Sequence, residues 1–301
     1  MSIEPRSQVL WPGNDLVGCM FCVIVRDTRG ASLEHAQRFN YFPASPLASV
    51  TWLLEGQCHW IDRPEHMDRP SEAPQLQAIA FSGAQLGSLV SWNPGPTFAV
   101  TAAFYPDALA AVTGLDLAPF TDVMLNATAA LPDWMLSCCN TFLSDAVSAG
   151  IEPALRAFQN DIRDRWESVR DSRPVSEMRM AAWSEDLVSR ASEAGDGKSG
   201  RQIARRIKAW TGVNQRDLHN LSRVEALYAT LHKAAKDRTA SWADIGHEAG
   251  YADQPHMVRR LRQHTGFTPE QLRTRAAKDE ALWAYRLLEQ FFDRSDVTGN
   301  S

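Results

Sequence analysis

Arginine and glutamine are the side chains that read DNA bases most directly. A guanidinium can bond guanine O6 and N7 together, and a carboxamide can do the same for adenine N6 and N7. Two short stretches of this 301-residue chain carry such groups at helical spacing. The first holds Arg201, Gln202 and Arg205, followed by Arg206 and Lys208; the second holds Gln254, His256, Arg259, Arg260 and Arg262. Residues four apart share one face of a helix, so Arg201 and Arg205 point together, with Gln202 beside them. They stand near a helix N-terminus, the part of a recognition helix that meets base edges. Arg206 and Lys208 point elsewhere and suit phosphates.

The elements needed to present these groups are written around them. Ala243 to Ala249 reads as a short helix with Ile245 and Ala249 on one face, and Gly250 supplies the positive φ of a tight exit. Asp253 is an N-cap for a second helix in which Met257, Val258 and Leu261 are apolar. Gly266 closes that helix, and Thr268-Pro269-Glu270-Gln271 opens another with a capping box. Helix, glycine turn and Arg-bearing helix make a helix-turn-helix. The unit is duplicated. Ala204 to Gly212 (ARRIKAWTG) echoes Val258 to Gly266 (VRRLRQHTG) at an offset of 54 residues, which also sets Ser199 on Asp253 and Leu218 on Leu272. A long helix from Asp217 to Lys236, with Leu218, Leu221, Val224, Leu227 and Leu231 as its apolar stripe, joins the two. Such a pair can enter successive major-groove segments about 34 Å apart. The first motif matches less well upstream. Glu193-Ala194-Gly195 aligns with Glu248-Ala249-Gly250 only at an offset of 55, so Asp196-Gly197-Lys198 absorbs a residue and the first motif is expected to dock less rigidly.

The run Ala249-Gly250-Tyr251-Ala252-Asp253-Gln254, His256, Arg259 to Arg262 and Thr265-Gly266-Phe267-Thr268-Pro269 resembles the second helix-turn-helix of the AraC/XylS family of bacterial transcription regulators. The resemblance implies that Gln254 and Arg259 face the groove with His256 as a further base contact, and that Arg260 and Arg262 meet phosphates. Pro255 stands where many members carry a polar side chain, so one contact is missing. Arg38 to Pro46, Trp52 to Gly56, and Phe104-Tyr105-Pro106 followed by Gly114 look like the sensor half of some AraC-type regulators. The implied partners are double-stranded DNA, RNA polymerase, a small-molecule effector and a second copy of the chain.

Charge supports this division. The chain has a net charge of −5, yet Ser199 to Asp279 carries 15 Lys and Arg against 8 Asp and Glu. A basic reader on an acidic body is the footprint of a nucleic-acid module joined to a partner domain. Upstream, short apolar runs at Leu16 to Val25, Ser49 to Leu54, Leu76 to Phe81, Gln85 to Trp92 and Thr97 to Phe104 read as strands, with Cys58 to Ile61 as a hairpin partner for the second. Residues 1–15 read as an extended arm. Leu155, Phe158, Ile162, Trp166 and Val169 mark an amphipathic helix over 153–170, a candidate dimer surface or a cover for the sheet.

The expected fold is therefore α+β. A β-rich sandwich or half-barrel sensor spans 1–130, a helical linker with a dimerisation role 131–175, an all-α domain with two helix-turn-helix motifs 176–290, and a flexible tail 291–301. Ten apolar residues at Leu16 to Val25 cannot span a bilayer, and no basic start or cleavage site flanks them, so a cytoplasmic protein without membrane partners is expected. Five cysteines do not suggest a disulfide framework. Cys19 and Cys22 have redox spacing but lie in an apolar strand run, and Cys58-His59 with His66 lacks the further ligands of a barrel metal site. No catalytic set, metal site or cofactor is expected. The alternative reading is an enzyme: a β-barrel metalloprotein or DNA-modifying domain fused to a DNA-binding module.

Overall fold

The computed structural model describes residues 3–170, 180–194, 199–236 and 242–288, the side chains of 231–236 and 243 excepted. The strands are β1 (Arg6–Leu10), β2 (Met20–Asp27), β3 (Phe39–Phe42), β4 (Ala48–Glu55), β5 (His59–Trp60), β6 (Ile79–Ser82), β7 (Leu89–Trp92), β8 (Phe98–Phe104) and β9 (Met124–Asn126). They form a large antiparallel sheet in the order β1-β2-β8-β4-β6-β9 and a small one in the order β3-β7-β5. The helices are α1 (Pro106–Thr113), α2 (Asp133–Ser148), α3 (Ile151–Val169), α4 (Met180–Glu193), α5 (Gly200–Thr211), α6 (Gln215–Lys236), α7 (Trp242–Glu248), α8 (Gln254–Thr265) and α9 (Pro269–Arg275). A β-rich N-terminal region followed by an all-helical C-terminal region is the α+β arrangement that the sequence predicts.

Strand alternation splits the large sheet into two unlike faces. Val50 and Trp52 of β4 and Val100, Ala102 and Phe104 of β8 are fully buried beneath α2 and α3. Trp52 is the keystone there. Its ring lies 4.3 Å from Phe142 and 5.0 Å from Phe158, and its indole N–H donates to the Cys139 carbonyl at 2.9 Å. The other face carries Ser49, Thr51, Ala99, Thr101 and Ala103, side chains too small to fill the space before them. Cross-strand bonding between Thr51 and Thr101 at 3.0 Å satisfies two of its hydroxyls.

Several expectations change. The expected extended arm is a paired strand over part of its length: β1 pairs along β2 from Arg6↔Asp27 to Leu10↔Val23. The run Leu16 to Val25 is not one strand, because Leu16 ends a short 3-10 turn and Gly18 takes φ +81° before β2 begins at Met20. Residues 58–61 do not make a hairpin with β4. After the turn at Gly56 the chain leaves the large sheet, and His59 and Trp60 pair with Trp92 and Ser91 of β7. The apolar stripe of α3 is already covered within the chain, since Leu155, Phe158, Ile162 and Trp166 are buried against α2, α1 and the sheet. Val169 at its end is the one large apolar side chain that α3 leaves exposed among the described residues. The break at 171–174, the turn at 195–198 and the tail beyond 288 lie outside the described residues.

The hydrophobic cores cross the boundary near 175. The main core joins Trp52, Phe104 and Phe142 to Leu187 of α4, Ile207 of α5 and Leu218 of α6. A second core joins Phe39 and Trp92 of the small sheet to Val224 and Leu227 of α6, Ile245 of α7 and Met257 and Leu261 of α8. Helix α6 is the strut between them, its start in one core and its middle in the other.

Candidate nucleic-acid interface

The duplication is visible at the level of single atoms. Ser199 caps α5 in a reciprocal capping box with Gln202, and Asp253 caps α8 by accepting from the His256 amide at 2.7 Å. At the other ends, Thr211 Oγ1 donates to the Ile207 carbonyl at 2.8 Å and accepts from the Val213 amide at 3.1 Å. Thr265 Oγ1 does the same with Leu261 at 2.8 Å and Phe267 at 3.0 Å. Gly212 and Gly266 follow in the left-handed region at φ +75° and +78°. A threonine that bonds its own helix and the residue beyond the glycine fixes the exit direction of both helices alike.

Outward from these frames lie two matching stripes. On α5, Arg201, Arg205 and Lys208 are exposed, and on α8 Pro255, Arg259 and Arg262 take the same repeat positions and are exposed too. Lys208 and Arg262 thus share the stripes of Arg205 and Arg259, and Lys208 does not point elsewhere as expected, because positions i, i+4 and i+7 of a helix lie on one face. Arg206 and Arg260 occupy equivalent half-buried positions away from it. Arg206 donates to the Ala191 carbonyl at 2.7 Å, and Arg260 donates to Gln263 Oε1 at 3.1 Å. Gln202 is exposed, but its carbonyl oxygen accepts from Ser199 Oγ at 2.9 Å, so a two-point bond to adenine requires that cap to open. Gln254 is exposed at the first turn of α8; His256 is half-buried with its ring edge-on to Tyr251 at 5.7 Å.

Both helix-turn-helix units are fastened to the N-terminal region, by different means. Asp107, in the first turn of α1, accepts from Arg190 at 2.6 Å and from the Trp183 indole at 2.9 Å, tying α4 to the N-terminal region. Gly212 packs on the backbone of Leu117 and Ala118, where a Cβ would come within 2.7 Å. The second reader leans on the loops before β4 and β7. Its His264 carbonyl accepts from the Ala44 amide at 2.7 Å, and its imidazole Nδ1 lies 3.0 Å from the Leu86 carbonyl. Burial holds the His264 imidazole below its ordinary titration range, the Leu86 bond opposing and the Arg260 charge reinforcing the shift. Phe267 packs edge-on to Tyr41 at 5.1 Å.

A cavity of about 340 Å³ lies where the N-terminal and C-terminal regions meet. Its walls include Thr51 and Thr101 of the large sheet, Ser91 of the small sheet, and Leu221 and Tyr228 of α6. Beside it a latch closes the junction. Arg26 of β2 bonds Glu280 at 2.6 Å and Ser7 Oγ at 2.9 Å and lies 4.9 Å over the Trp283 ring. Trp283 in turn donates to Asn40 Oδ1 of β3 at 2.8 Å. Sequence reasoning missed cavity and latch, although alternating Ser49, Thr51 and Thr101 with large apolar neighbours is a signal of one under-filled face. The cysteines carry no reactive thiolate signature. Burial raises Cys19 and Cys22 and pushes Cys58 up to about 11. His59 bonds the Ala73 carbonyl and His66 pairs with Asp62, and among the described residues no three metal-ligating side chains gather.

Residues 236–274 match the model of bacterial regulatory helix-turn-helix proteins, AraC family. The chain carries the DNA-binding helix-turn-helix of the AraC family of transcription regulators. It is a DNA-binding transcription regulator, and the enzyme alternative is not favoured. No curated protein matches the chain in sequence. Among solved structures, the apo form of a ToxT variant from Vibrio cholerae is similar at 10% identity and a TM-score of 0.39, over 84% of this chain and 96% of that one. Wild-type ToxT from the same organism, bound to an unsaturated fatty acid, is similar at 12% and 0.36, over 83% and 94%. The AraC-like transcriptional activator CuxR is similar at 13% and 0.27, over 94% and 90%. The matched segment holds α7, α8 and nearly all of α9, the second of the two motifs. Among the described residues no helix is long and apolar enough to cross a membrane.

Proposed function

We propose that this regulator binds a bipartite promoter site, with α5 and α8 in successive major-groove segments, and that a small molecule in the junction cavity adjusts the binding. The supporting observation is the pair of equivalent exposed stripes, Arg201, Arg205 and Lys208 against Pro255, Arg259 and Arg262, on two helices whose C-terminal ends are held alike. Arg205 and Arg259 read bases, with Arg201, Gln202, Gln254 and His256 as the further base contacts, while Lys208, Arg262, Arg206 and Arg260 face the backbone. Arg206 and Arg260 serve as phosphate ligands only with donors left over from their intramolecular bonds.

Regulation follows from the cavity's walls. A molecule filling it touches both sheets and α6, the one helix common to both readers, so its binding free energy depends on how α6 sits. One structural neighbour, ToxT, is bound to an unsaturated fatty acid in a solved structure. Partnership with RNA polymerase, self-association and an intracellular, non-enzymatic role belong to the same reading. In vitro selection of DNA by the full chain tests the first half, with enrichment of a defined bipartite sequence expected. A pool that remains random, with binding set by salt alone, contradicts it. For the second half, Ala99→Phe, which fills the cavity from β8, should abolish the effect of any small molecule that alters DNA affinity.

A further inference from the structure

The closing turns of the two helix-turn-helix units rest on neighbouring loops of the N-terminal region. Gly212, which ends α5, packs on the backbone of Leu117 and Ala118, and its carbonyl accepts from Thr121 Oγ1 at 3.4 Å. Gly266, which ends α8, sits beside the Ser88 hydroxyl, and the imidazole Nδ1 of His264 lies 3.0 Å from the Leu86 carbonyl. Asp122 joins the two loops. Its amide donates to the Ala84 carbonyl at 2.8 Å, and its carboxylate accepts from the Leu86 amide at 2.7 Å. Leu86 thus bonds Asp122 through its amide and His264 through its carbonyl. Residues 84–88 are held from the other side as well, because Ser45 and Gln85 exchange two backbone bonds of 2.8 Å. Asp122 is also the one non-glycine residue at positive φ among the described residues, at +58°. A side chain with a Cβ is disfavoured there and persists where the surrounding bonds hold it. Helix α6 connects the two units through the chain and through the second core. The Asp122 bridge is a route between them that does not pass through α6, so it constrains the distance and angle between α5 and α8 independently.

We propose that Asp122 is a positioning residue for DNA reading: its bridge between the Gly212 and His264 turns sets the separation of α5 and α8, and with it the half-site spacing that the chain accepts. The role rests on α5 and α8 both reading DNA. Phosphates repel a carboxylate, so Asp122 acts through the bridge and not as a DNA ligand. One added base pair moves a half-site by about 3.4 Å along the duplex and turns it by about 34°. A stiff connection between two binding units penalises that mismatch, and a loose one tolerates it.

The test measures binding of the full chain to duplexes that carry both selected half-sites, at the selected spacing or with one base pair inserted between them. Wild-type protein should bind the selected spacing about tenfold or more tightly. Glycine keeps the left-handed backbone, so Asp122→Gly removes the carboxylate without adding strain. It should lower that ratio at least about threefold while changing binding to either half-site alone by less than about twofold. Asparagine keeps the acceptor oxygen and tolerates positive φ, so Asp122→Asn should hold the ratio within about twofold of wild type. A protein that is merely destabilised loses affinity for both duplexes alike and leaves the ratio unchanged. An unchanged or larger ratio in Asp122→Gly overturns the bridge. A ratio that falls as far in Asp122→Asn as in Asp122→Gly overturns the bond to Leu86 as its means. Wild-type protein that binds both spacings equally overturns the bridge and leaves the two-part site standing. Selected DNA without a second half-site overturns reading by both helices, and the bridge with it.

Discussion

The two helix-turn-helix motifs share a frame and differ in their foundations. The first is built into the N-terminal region: Leu187, Ile207 and Leu218 belong to the same core as Trp52, and the Asp107 bonds to Arg190 and Trp183 reinforce it. The second stands on a smaller core with the small sheet and touches the N-terminal region through His264, Ala44 and Tyr41. Sequence alone predicts that the second motif anchors and the first adapts, because Asp196-Gly197-Lys198 absorbs an extra residue in the repeat. Those residues are outside the described structure, and the body of the first motif is the one rooted in the main core. Regularity of a motif and firmness of its attachment are separate properties: the one is set by local caps and glycines, the other by which side chains find a distant core.

Breaking the cores should show the difference most strongly. Ile207→Ala and Leu261→Ala each empty a fully buried site and should cost about 2–5 kcal/mol. In thermal unfolding monitored by tryptophan fluorescence, Ile207→Ala should lower the transition of the whole N-terminal region. Leu261→Ala should loosen the second reader first and separate a new, earlier transition. If both variants shift one common transition equally, the two cores are one cooperative unit.

The closing glycines come next. Gly266→Ala should cost about 1–2 kcal/mol, the strain of a left-handed non-glycine residue, since only the Ser88 hydroxyl is near at 3.3 Å. At Gly212 a Cβ also meets rigid backbone of Leu117 at 2.7 Å, so Gly212→Ala should cost about 2–4 kcal/mol. Equal losses in chemical denaturation would remove the asymmetry. On DNA the two should instead behave alike: Arg205→Ala and Arg259→Ala should each lose about 1–3 kcal/mol of binding to a selected site.

The smallest effect is a pH effect confined to the second motif. Folded His264 titrates below its ordinary 6.5, so the native state binds fewer protons than the unfolded chain in that range. Its contribution is full above pH 6.5 and is lost as the pH falls further. His264→Gln should flatten the decline in stability below pH 6.5, and an unaltered pH profile would assign that decline to other groups.

Local signals in the sequence carried most of the reader. Gly250, Asp253 and Thr265-Gly266 lie within one turn of what they determine, the 54-residue echo repeats that local pattern, and most of the expected strands lie at or near their predicted places. What stayed hidden joins residues far apart. β3, whose four residues carry no alternation, is a strand because β7 pairs with it from Phe39↔Trp92 to Phe42↔Leu89. The bond between Arg26 and Glu280 spans 254 positions. The cavity exists only because small side chains from two sheets face the same helix. The stripe on α3 was visible, but periodicity cannot say whether such a stripe meets its own sheet or another copy.

Selection of bound DNA with the intact chain, repeated with Arg205→Ala and with Arg259→Ala, tests the central claim most directly. Two conserved half-sites about one helical turn apart are predicted, with each substitution relaxing the sequence of a different half. A single half-site, or the same half relaxed by both substitutions, would contradict a reader that uses both helices.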